Sequence, residues 1–368
     1  MRAPAGLQGA SRCNPRTARA RAVRVAVSSV APRRAEPCVP MSEEEMVERL
    51  RARLAGRTIS VGLTPPLRSE FYDEVVHGAV TEMRRLSERF GVIWMLESYF
   101  PACHRNVNDQ VDRLRDWSAR GFDAALVCTA GEFYAMQGHY AEAAARGTRV
   151  VQFNMPAELW RERELTAVST VGYDNALQAG FLAGDYIARR LPRPARLALV
   201  WGLPGHWSTA RSNGLKLALR RHPNLQLVAI SRGDYEREGG MEAARQQLQR
   251  HRGIDAIYAE NEEMALGVSQ AIDDLGLSHW DGRAGILTVG ADGTKSGYER
   301  IKAGGLTATI DVNAVEQGRS AIAAVFRSVA TDAAPRIITV PTSIVDARNI
   351  DDRLAAVPGA LTGGEHSG

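Results

Sequence analysis

The chain has 368 residues, of which 45% are hydrophobic and 6% aromatic, a length and composition that indicate two globular lobes and exclude a largely disordered protein. Its net charge of +4 is uneven, because the first forty residues hold eight arginines and one acid and leave 38 basic and 41 acidic residues after them. This slightly acidic body gives no support to a groove that follows a phosphate backbone, so we expect no nucleic-acid partner.

The N-terminal region, residues 1–56, is predicted to be a leader or an extended N-terminus, disordered apart from a short helix over 43–54. Three interpretations remain open for its first forty residues. They are a signal peptide whose apolar segment is interrupted by Arg24, an arginine-rich transit peptide, or an upstream extension of a protein that starts at Met41. One short helix leaves no room for a helix-turn-helix unit, so we expect no DNA-binding head.

From Thr58 onward, apolar runs alternate with amphipathic segments. The first set of predicted strands covers 59–63, 92–96, 124–128 and 150–154, with helices at 70–90, 106–120 and 133–146 between them. The second set covers 167–172, 197–201, 225–230, 256–259, 285–290 and 306–310, with helices at 208–221, 238–250, 262–275 and 295–303. A last helix, 315–329, precedes two short strands at 337–340 and 343–345.

This alternation predicts an α/β fold of two doubly wound lobes, because each pair of parallel strands needs a crossover that a helix supplies. Ligands of open parallel sheets bind beyond the carboxyl ends of the strands. Two such lobes facing each other therefore predict one ligand cleft between them.

The stretch 171–186 joins the two sets of elements. Its small residues, among them Gly180 and Gly184, recur at helical spacing and predict a helix that packs very close to its neighbours. Asp174 or Asn175 can cap the N-terminus of this helix, whose partial positive charge would then face the cleft.

Polar and aromatic side chains collect where the predicted strands end. They are Ser69, Phe71, Tyr72, Gln152, Asn154, Met155, Trp207, Arg211, Glu260, Asn261 and Asp292. Independent strands thus deliver amides, carboxylates, one guanidinium and aromatic rings to one edge, as in a binding site.

Four motifs occur in the order and at about the spacing of the type I periplasmic sugar-binding proteins, the ribose-binding-protein group. The motifs are Tyr173-Asp174-Asn175 with Gly180, Arg211 three residues before Gly214, Asn-Glu-Glu-Met-Ala-Leu-Gly at 261–267, and Val-Gly-Ala-Asp-Gly at 289–293. The chain resembles this family from about residue 59 to residue 350.

The resemblance implies a periplasmic-binding-protein-like fold with a three-strand hinge near residues 166, 312 and 340. The implied first lobe is 57–165 plus 313–340, the second is 166–312 plus 341–358, and 359–368 form a flexible tail. The implied ligand-binding residues are Ser69, Phe71, Tyr72, Asn154, Met155, Tyr173, Arg211, Tyr235, Asn261 and Asp292. Val312 stands at or beside the position of the family's hinge glutamine.

Asn154 and Met155 depart from the family pattern, in which sugar binders usually have Asp-Arg. A carboxylate and a guanidinium each make bidentate bonds to neighbouring hydroxyls, whereas Asn154 has no charge and Met155 has no polar head. A deoxysugar, a polyol, a less polar sugar or a non-sugar polar metabolite therefore remains open as the ligand.

The resemblance implies a non-catalytic protein that closes around a small polar, carbohydrate-like ligand and delivers it to an inner-membrane ABC-type permease. The alternative is a sensor of the same fold that reports its ligand to a partner such as a kinase. We expect a monomer with no cofactor, metal or catalytic residues, since His104, His139 and His206 are scattered at loop edges. The family favours the periplasm, and a start at Met41 favours the cytoplasm.

Overall fold

The computed structural model describes residues 42–129, 133–155, 169–173, 177–333 and 336–356. Twelve strands form two six-stranded sheets within this part of the chain. The strands are β1 (Thr58–Thr64), β2 (Ile93–Ser98), β3 (Ala124–Val127), β4 (Arg149–Gln152), β5 (Ser169–Gly172), β6 (Ala195–Trp201), β7 (Leu225–Arg232), β8 (Ala256–Ala259), β9 (Leu287–Asp292), β10 (Ala308–Asp311), β11 (Ile337–Thr339) and β12 (Ser343–Asp346).

Helices cover both faces of each sheet. They are α1 (Glu43–Leu54), α2 (Glu70–Phe90), α3 (Val107–Ala119), α4 (Gln137–Ala145), α5 (Gln178–Arg190), α6 (His206–Arg221), α7 (Arg237–Arg250), α8 (Glu262–Asp274), α9 (Lys295–Lys302), α10 (Ala314–Thr331) and α11 (Ile350–Ala356). Across the described ranges, none of these helices combines the length and the apolar character needed to cross a membrane.

The first sheet has the strand order β11-β5-β4-β3-β1-β2, and all its pairs are parallel. The second has the order β12-β10-β9-β8-β6-β7 and is parallel except for its edge strand β12, which runs antiparallel to β10. We call the first sheet with α1 to α4 and α10 the first lobe, and the second sheet with α5 to α9 and α11 the second lobe. From Glu43 onward the chain forms one compact unit.

The chain passes between the lobes after β5, between β10 and α10, and between β11 and β12. The predicted boundary after residue 165 is wrong for β5, which pairs with β4 and β11 in the first sheet. Apolar alternation cannot assign a strand to one of two sheets, because that choice depends on pairing partners far away in the sequence. The crossover predicted near residue 166 and the capping residues Asp174 and Asn175 lie outside the described residues.

Helix α1 belongs to the first lobe, although the sequence placed it in the N-terminal extension. Val47, Leu50 and the buried Leu54 pack against the core cluster of this lobe, and Arg89 of α2 donates to Glu43 at 2.6 Å. The rest of the predicted leader, residues 1–41, and the predicted tail lie outside the described residues.

Glycines permit the closest helix contacts in both lobes. Gly78 of α2 faces the carbonyl of Val315 in α10, and Gly318 of α10 faces the carbonyl of Val75 in α2. The same reciprocal arrangement joins α5 to α6 through Gly180 and Gly214, and α7 to α8 through Gly240 and Gly267. A Cβ at any of these positions would overlap backbone atoms of the facing helix, so the separation of each pair depends on a missing side chain.

We expect Gly78→Ala to destabilise the protein by about 1–3 kcal/mol or more, because the new methyl group must push α10 away from α2. Gly138→Ala is the matched control, since Gly138 lies on α4 with open space around its Cβ position. That change should shift stability by no more than about 1 kcal/mol, in the stabilising direction. Urea unfolding of both variants measures the difference, and equal midpoints would contradict the close contact.

Candidate functional site

A cavity of about 700 Å³ lies between the lobes, and both contribute to its wall. The first lobe contributes the start of α2, the loop before α3 and the residues that follow β3, β4 and β5. The second contributes the loop before α6, one turn of α6, the starts of α7 and α8, and the turn after β9. The cavity therefore lies at the carboxyl ends of the strands in both sheets, where open parallel sheets bind ligands.

Nine of the ten residues predicted to contact a ligand line this cavity. They are Ser69, Phe71, Tyr72, Asn154, Tyr173, Arg211, Tyr235, Asn261 and Asp292. Met155 is the exception, because its side chain is only 1% exposed and lies outside the cavity lining. Its backbone N–H donates to Val171 at 3.2 Å, and its backbone packs on Gly172, so the chain turns back along β5 after Asn154.

Arg211 is the buried cation of the site. It lies on α6, is 7% exposed, and donates to the backbone carbonyl of Glu260 and, over 3.3 Å, to Oδ1 of Asp292. Burial raises the pKa of Asp292 to about 6, and the adjacent guanidinium limits that rise. The pair places one charged donor group and one charged acceptor group side by side at the cavity wall.

Glu260 holds the start of α6 beside the end of β6. Its carboxylate accepts from the hydroxyl of Ser208, from the N–H of Gly202 at 2.9 Å and from Ser212 Oγ at 2.7 Å. Burial raises the pKa of Glu260, and these donors oppose the rise. Because α6 carries Arg211, this buried carboxylate helps to position the guanidinium.

Glu262 holds the turn that carries Asp292. Its Oε2 accepts from Gly293 N at 2.9 Å, Thr294 N at 3.3 Å and Thr309 Oγ1 at 2.6 Å, and burial raises its pKa to about 8. The sequence favoured a helix N-terminus for Glu262 and Glu263 alike, and both lie in the first turn of α8. Only Glu263 remains at the surface of α8, where it pairs with Arg237 at 2.9 Å, because Glu262 points inward to neighbouring strands.

The first-lobe wall carries aromatic rings together with polar side chains. Phe71 and Tyr72 meet edge to face with ring centroids 5.1 Å apart, and the Tyr72 hydroxyl lies 3.5 Å from Cys128 Sγ. Oδ1 of Asn154 is buried and has no hydrogen-bond donor among the described residues. Asn154 adopts a left-handed backbone conformation, with φ of 55°, that asparagine tolerates better than most residues. Among the described residues, its amide oxygen is thus a buried, unsatisfied acceptor on a residue that lines the cavity.

Two aromatic contacts cross from one lobe to the other. The ring of Tyr173 lies 5.9 Å from that of Trp207, and the ring of His104 lies 5.5 Å from that of Tyr235. Asn261 supports Tyr235 by donating to its carbonyl at 3.2 Å, while its own Oδ1 accepts from Met264 N at 3.0 Å and caps α8. Asn261 therefore keeps only part of its hydrogen-bonding capacity for a ligand.

His104 and His206 line the cavity, although the sequence favoured solvated loop positions for them. Burial lowers the pKa of His104 to about 4, so this ring is neutral at physiological pH. His206 is the first residue of α6, and the strand-end rule that found Trp207 could also have found it. His139 lies away from the cavity on α4, 3.5 Å from Glu142.

A family model described as a periplasmic binding protein domain matches residues 61–331. The chain is 31% identical over 201 residues to the ribose import binding protein of Bacillus subtilis. The aligned segment is 55% of this chain and 61% of that protein. It is 33% identical over 144 residues to the ribose import binding protein of Salmonella typhimurium. That aligned segment is 39% of this chain and 46% of the relative. The chain spans about half the length of the curated relatives it matches.

Solved structures with the same fold cover more of the chain. A solute-binding protein of an ABC transporter from Bacillus halodurans, with bound myo-inositol, has a TM-score of 0.70 and 21% identity and covers 81% of this chain and 98% of that one. A periplasmic solute-binding protein from Actinobacillus succinogenes, with bound D-allose, has a TM-score of 0.70 and 20% identity and covers 80% and 99%. These likenesses confirm the predicted two-lobed α/β fold.

We expect Arg211→Met to destabilise the protein by about 3–5 kcal/mol at pH 8, because it leaves Asp292 buried without its cation. The pKa of Asp292 is already raised from 3.8 to about 6 with Arg211 beside it, and removing the guanidinium raises it further, so the loss should shrink as the pH falls from 8 to 6 and the carboxyl of the variant takes up a proton. Urea unfolding at pH 8 and pH 5 measures this change. Adding Asp292→Asn should recover part of the loss at pH 8, and no recovery would argue against the ion pair.

Proposed function

This chain belongs to the periplasmic binding protein family, and we propose that it binds a small polar, carbohydrate-like solute and delivers it to an ABC-type importer. The names of its relatives, ribose import binding proteins among them, support the ligand class and the importer. The cavity between the lobes supports the mode of binding, in which the ligand is enclosed from both sides.

The observation that carries the proposal is the buried pair of Arg211 and Asp292 beside aromatic rings in one cavity. A sugar ring has hydroxyl groups around its edge and apolar C–H groups on its faces. The guanidinium and the carboxylate suit adjacent hydroxyls, because each can make two hydrogen bonds. Each hydrogen bond from these charged groups to a hydroxyl adds roughly 0.5–1.5 kcal/mol net. The rings of Phe71, Tyr72 and Trp207 suit the C–H faces.

The polarity of the cavity differs between its two sides, and this difference narrows the ligand class. The buried charged pair lies on the second lobe, whereas the buried first-lobe wall offers Asn154, Thr129 and the hydroxyl of Tyr72. Met155 contributes nothing, because it is buried outside the cavity. We therefore favour a ligand with one hydroxyl-rich edge and one less polar side, such as a deoxysugar or a sugar derivative.

The volume of about 700 Å³ lies within the range of about 300–1,000 Å³ that is usual for small-molecule sites. We propose a hinge at the three chain crossings, after Tyr173, at Val312 and at Val340, that opens and closes the cavity. The closed state would be selected by the ligand because only that state lets both lobes touch it.

A thermal-shift screen of the full chain tests the ligand class with D-ribose, D-allose, myo-inositol, deoxysugars and disaccharides. A compound at 100 times its dissociation constant should add about 2.7 kcal/mol to stability and raise the melting temperature. Asn154→Ala should weaken the shift, and Met155→Leu should leave it unchanged, since only Asn154 lines the cavity. An equal response of both variants would count against the proposed site.

We also propose that the protein works outside the cytoplasm, as the family implies. Fractionation of cells that express the native gene, with mass-spectrometric sequencing of the mature N-terminus, tests this location. We expect the protein in the periplasmic fraction. A cytoplasmic product that starts at Met41 would contradict the proposal and favour the sensor alternative.

A further inference from the structure

The N-terminus of α9 obtains two of its hydrogen-bond acceptors from the other lobe. The first residues of a helix have N–H groups without an acceptor inside the helix. Thr294 caps Gly297 through its side chain, over 3.3 Å. The N–H of Lys295 donates to Glu74 Oε1 at 3.0 Å, and that of Ser296 donates to Glu70 Oε1 at 3.1 Å.

Glu70 and Glu74 lie one turn apart on the same face of α2, near its N-terminus, in the first lobe. Helix α9 belongs to the second lobe. Carboxylates are favourable at a helix N-terminus because they satisfy its free N–H groups and meet its partial positive charge. Separation of the lobes would break both bonds and return these N–H groups to water. The capping of α9 is therefore complete only in the closed arrangement.

This contact lies beside the site without being part of the cavity wall. Neither Glu70 nor Glu74 lines the cavity, but α9 begins three residues after Asp292, and Thr294 between them does line it. A bond that holds the start of α9 thus also holds the turn that presents Asp292.

We propose that Glu70 and Glu74 are positioning residues for ligand binding, which cap α9 across the cleft and so hold the lobes closed over the ligand. The inference rests on the proposed binding function, and it adds residues that act on affinity without touching the ligand. Their removal favours the open state, which loses the contacts of one lobe with the ligand and releases it faster.

Protonation of Glu74 gives this contact a pH dependence. Burial raises the pKa of Glu74 from 4.5 to about 8, and the negative charges of Glu70, Asp311 and Asp292 add to the rise, while the N–H of Lys295 opposes it. Tyr298 of α9 also interacts electrostatically with Glu74, and Asp311 is itself paired with Arg353 at 3.3 Å.

The sign follows from the direction of this shift. In the open state Glu74 faces water and loses its proton near its ordinary pKa of 4.5, whereas the closed state keeps the proton up to about pH 8. Closure therefore takes up a proton between these values, and the closed state loses stability relative to the open state as the pH rises from 4.5 to 8. A neutral carboxyl still accepts from Lys295 N through its carbonyl oxygen.

The test compares the full chain with the double variant Glu70→Ala/Glu74→Ala. Asp73→Ala is the matched control, because Asp73 lies between the two glutamates on the exposed side of α2. Isothermal titration and stopped flow with D-ribose, D-allose and myo-inositol measure affinity and dissociation rate. Near pH 4.5, where proton uptake by Glu74 costs closure little, we expect the double variant to bind about tenfold more weakly through faster dissociation, and the control to match the wild type. Equal affinity of the double variant and the wild type would overturn the inference and leave the proposed function intact.

A second measurement needs no ligand and separates failure of this inference from failure of the proposed function. Amide proton shifts and hydrogen exchange of Lys295 and Ser296, read by NMR in the ligand-free chain, should change in the double variant but not in the control. If none of the three sugars binds, this result alone decides the inference. Amides that are identical in wild type and double variant would overturn it.

Glu74→Gln tests the role of the proton. The glutamine carbonyl retains the acceptor for Lys295 N but cannot titrate. We expect Glu74→Gln to match wild-type affinity near pH 4.5 and to lose less affinity than the wild type as the pH rises from there to 8. A pH profile that is identical in Glu74→Gln and wild type would show that Glu74 does not titrate with closure and would overturn the assignment of the proton.

Discussion

The close approach of α5 and α6 at Gly180 fixes where the cation of the site lies. Gly180 faces the backbone carbonyl of Arg211 itself, and Gly214 one turn later faces the carbonyl of Leu177. A side chain at either position would push the helices apart and move the guanidinium away from Asp292 and Glu260. The charged pair at the cavity therefore depends on two missing side chains.

The buried carboxylates around the cavity have different roles. Glu260 accepts from the start of α6, and Oε2 of Glu262 accepts from the turn after β9, so these oxygens are occupied by the protein. Asp292 instead faces Arg211 at the cavity wall. Burying such groups is unfavourable unless they are hydrogen-bonded, and the backbone and hydroxyl donors supply that compensation. The result is a frame around the buried ion pair of Arg211 and Asp292.

The two lobes bring different chemistry to the cavity. The first lobe contributes aromatic faces and the amide oxygen of Asn154, while its carboxylates Glu70 and Glu74 lie outside the cavity and meet α9. The second lobe contributes the charged pair. A ligand would thus be stacked and hydrogen-bonded by both lobes, with the buried ion pair on the second, and affinity would depend on contacts between the lobes as well as on contacts with the ligand.

The sequence by itself determined the alternation of strands and helices, and with it the edge at which the site lies, because local periodicity and the crossover rule are enough for both. Resemblance of motifs then identified nine residues that line the cavity. Only the tertiary structure decided that Met155 turns into the core, that β5 joins the first sheet, and that Glu262 holds a neighbouring turn. Each of these depends on partners distant in sequence, whose positions no local pattern encodes.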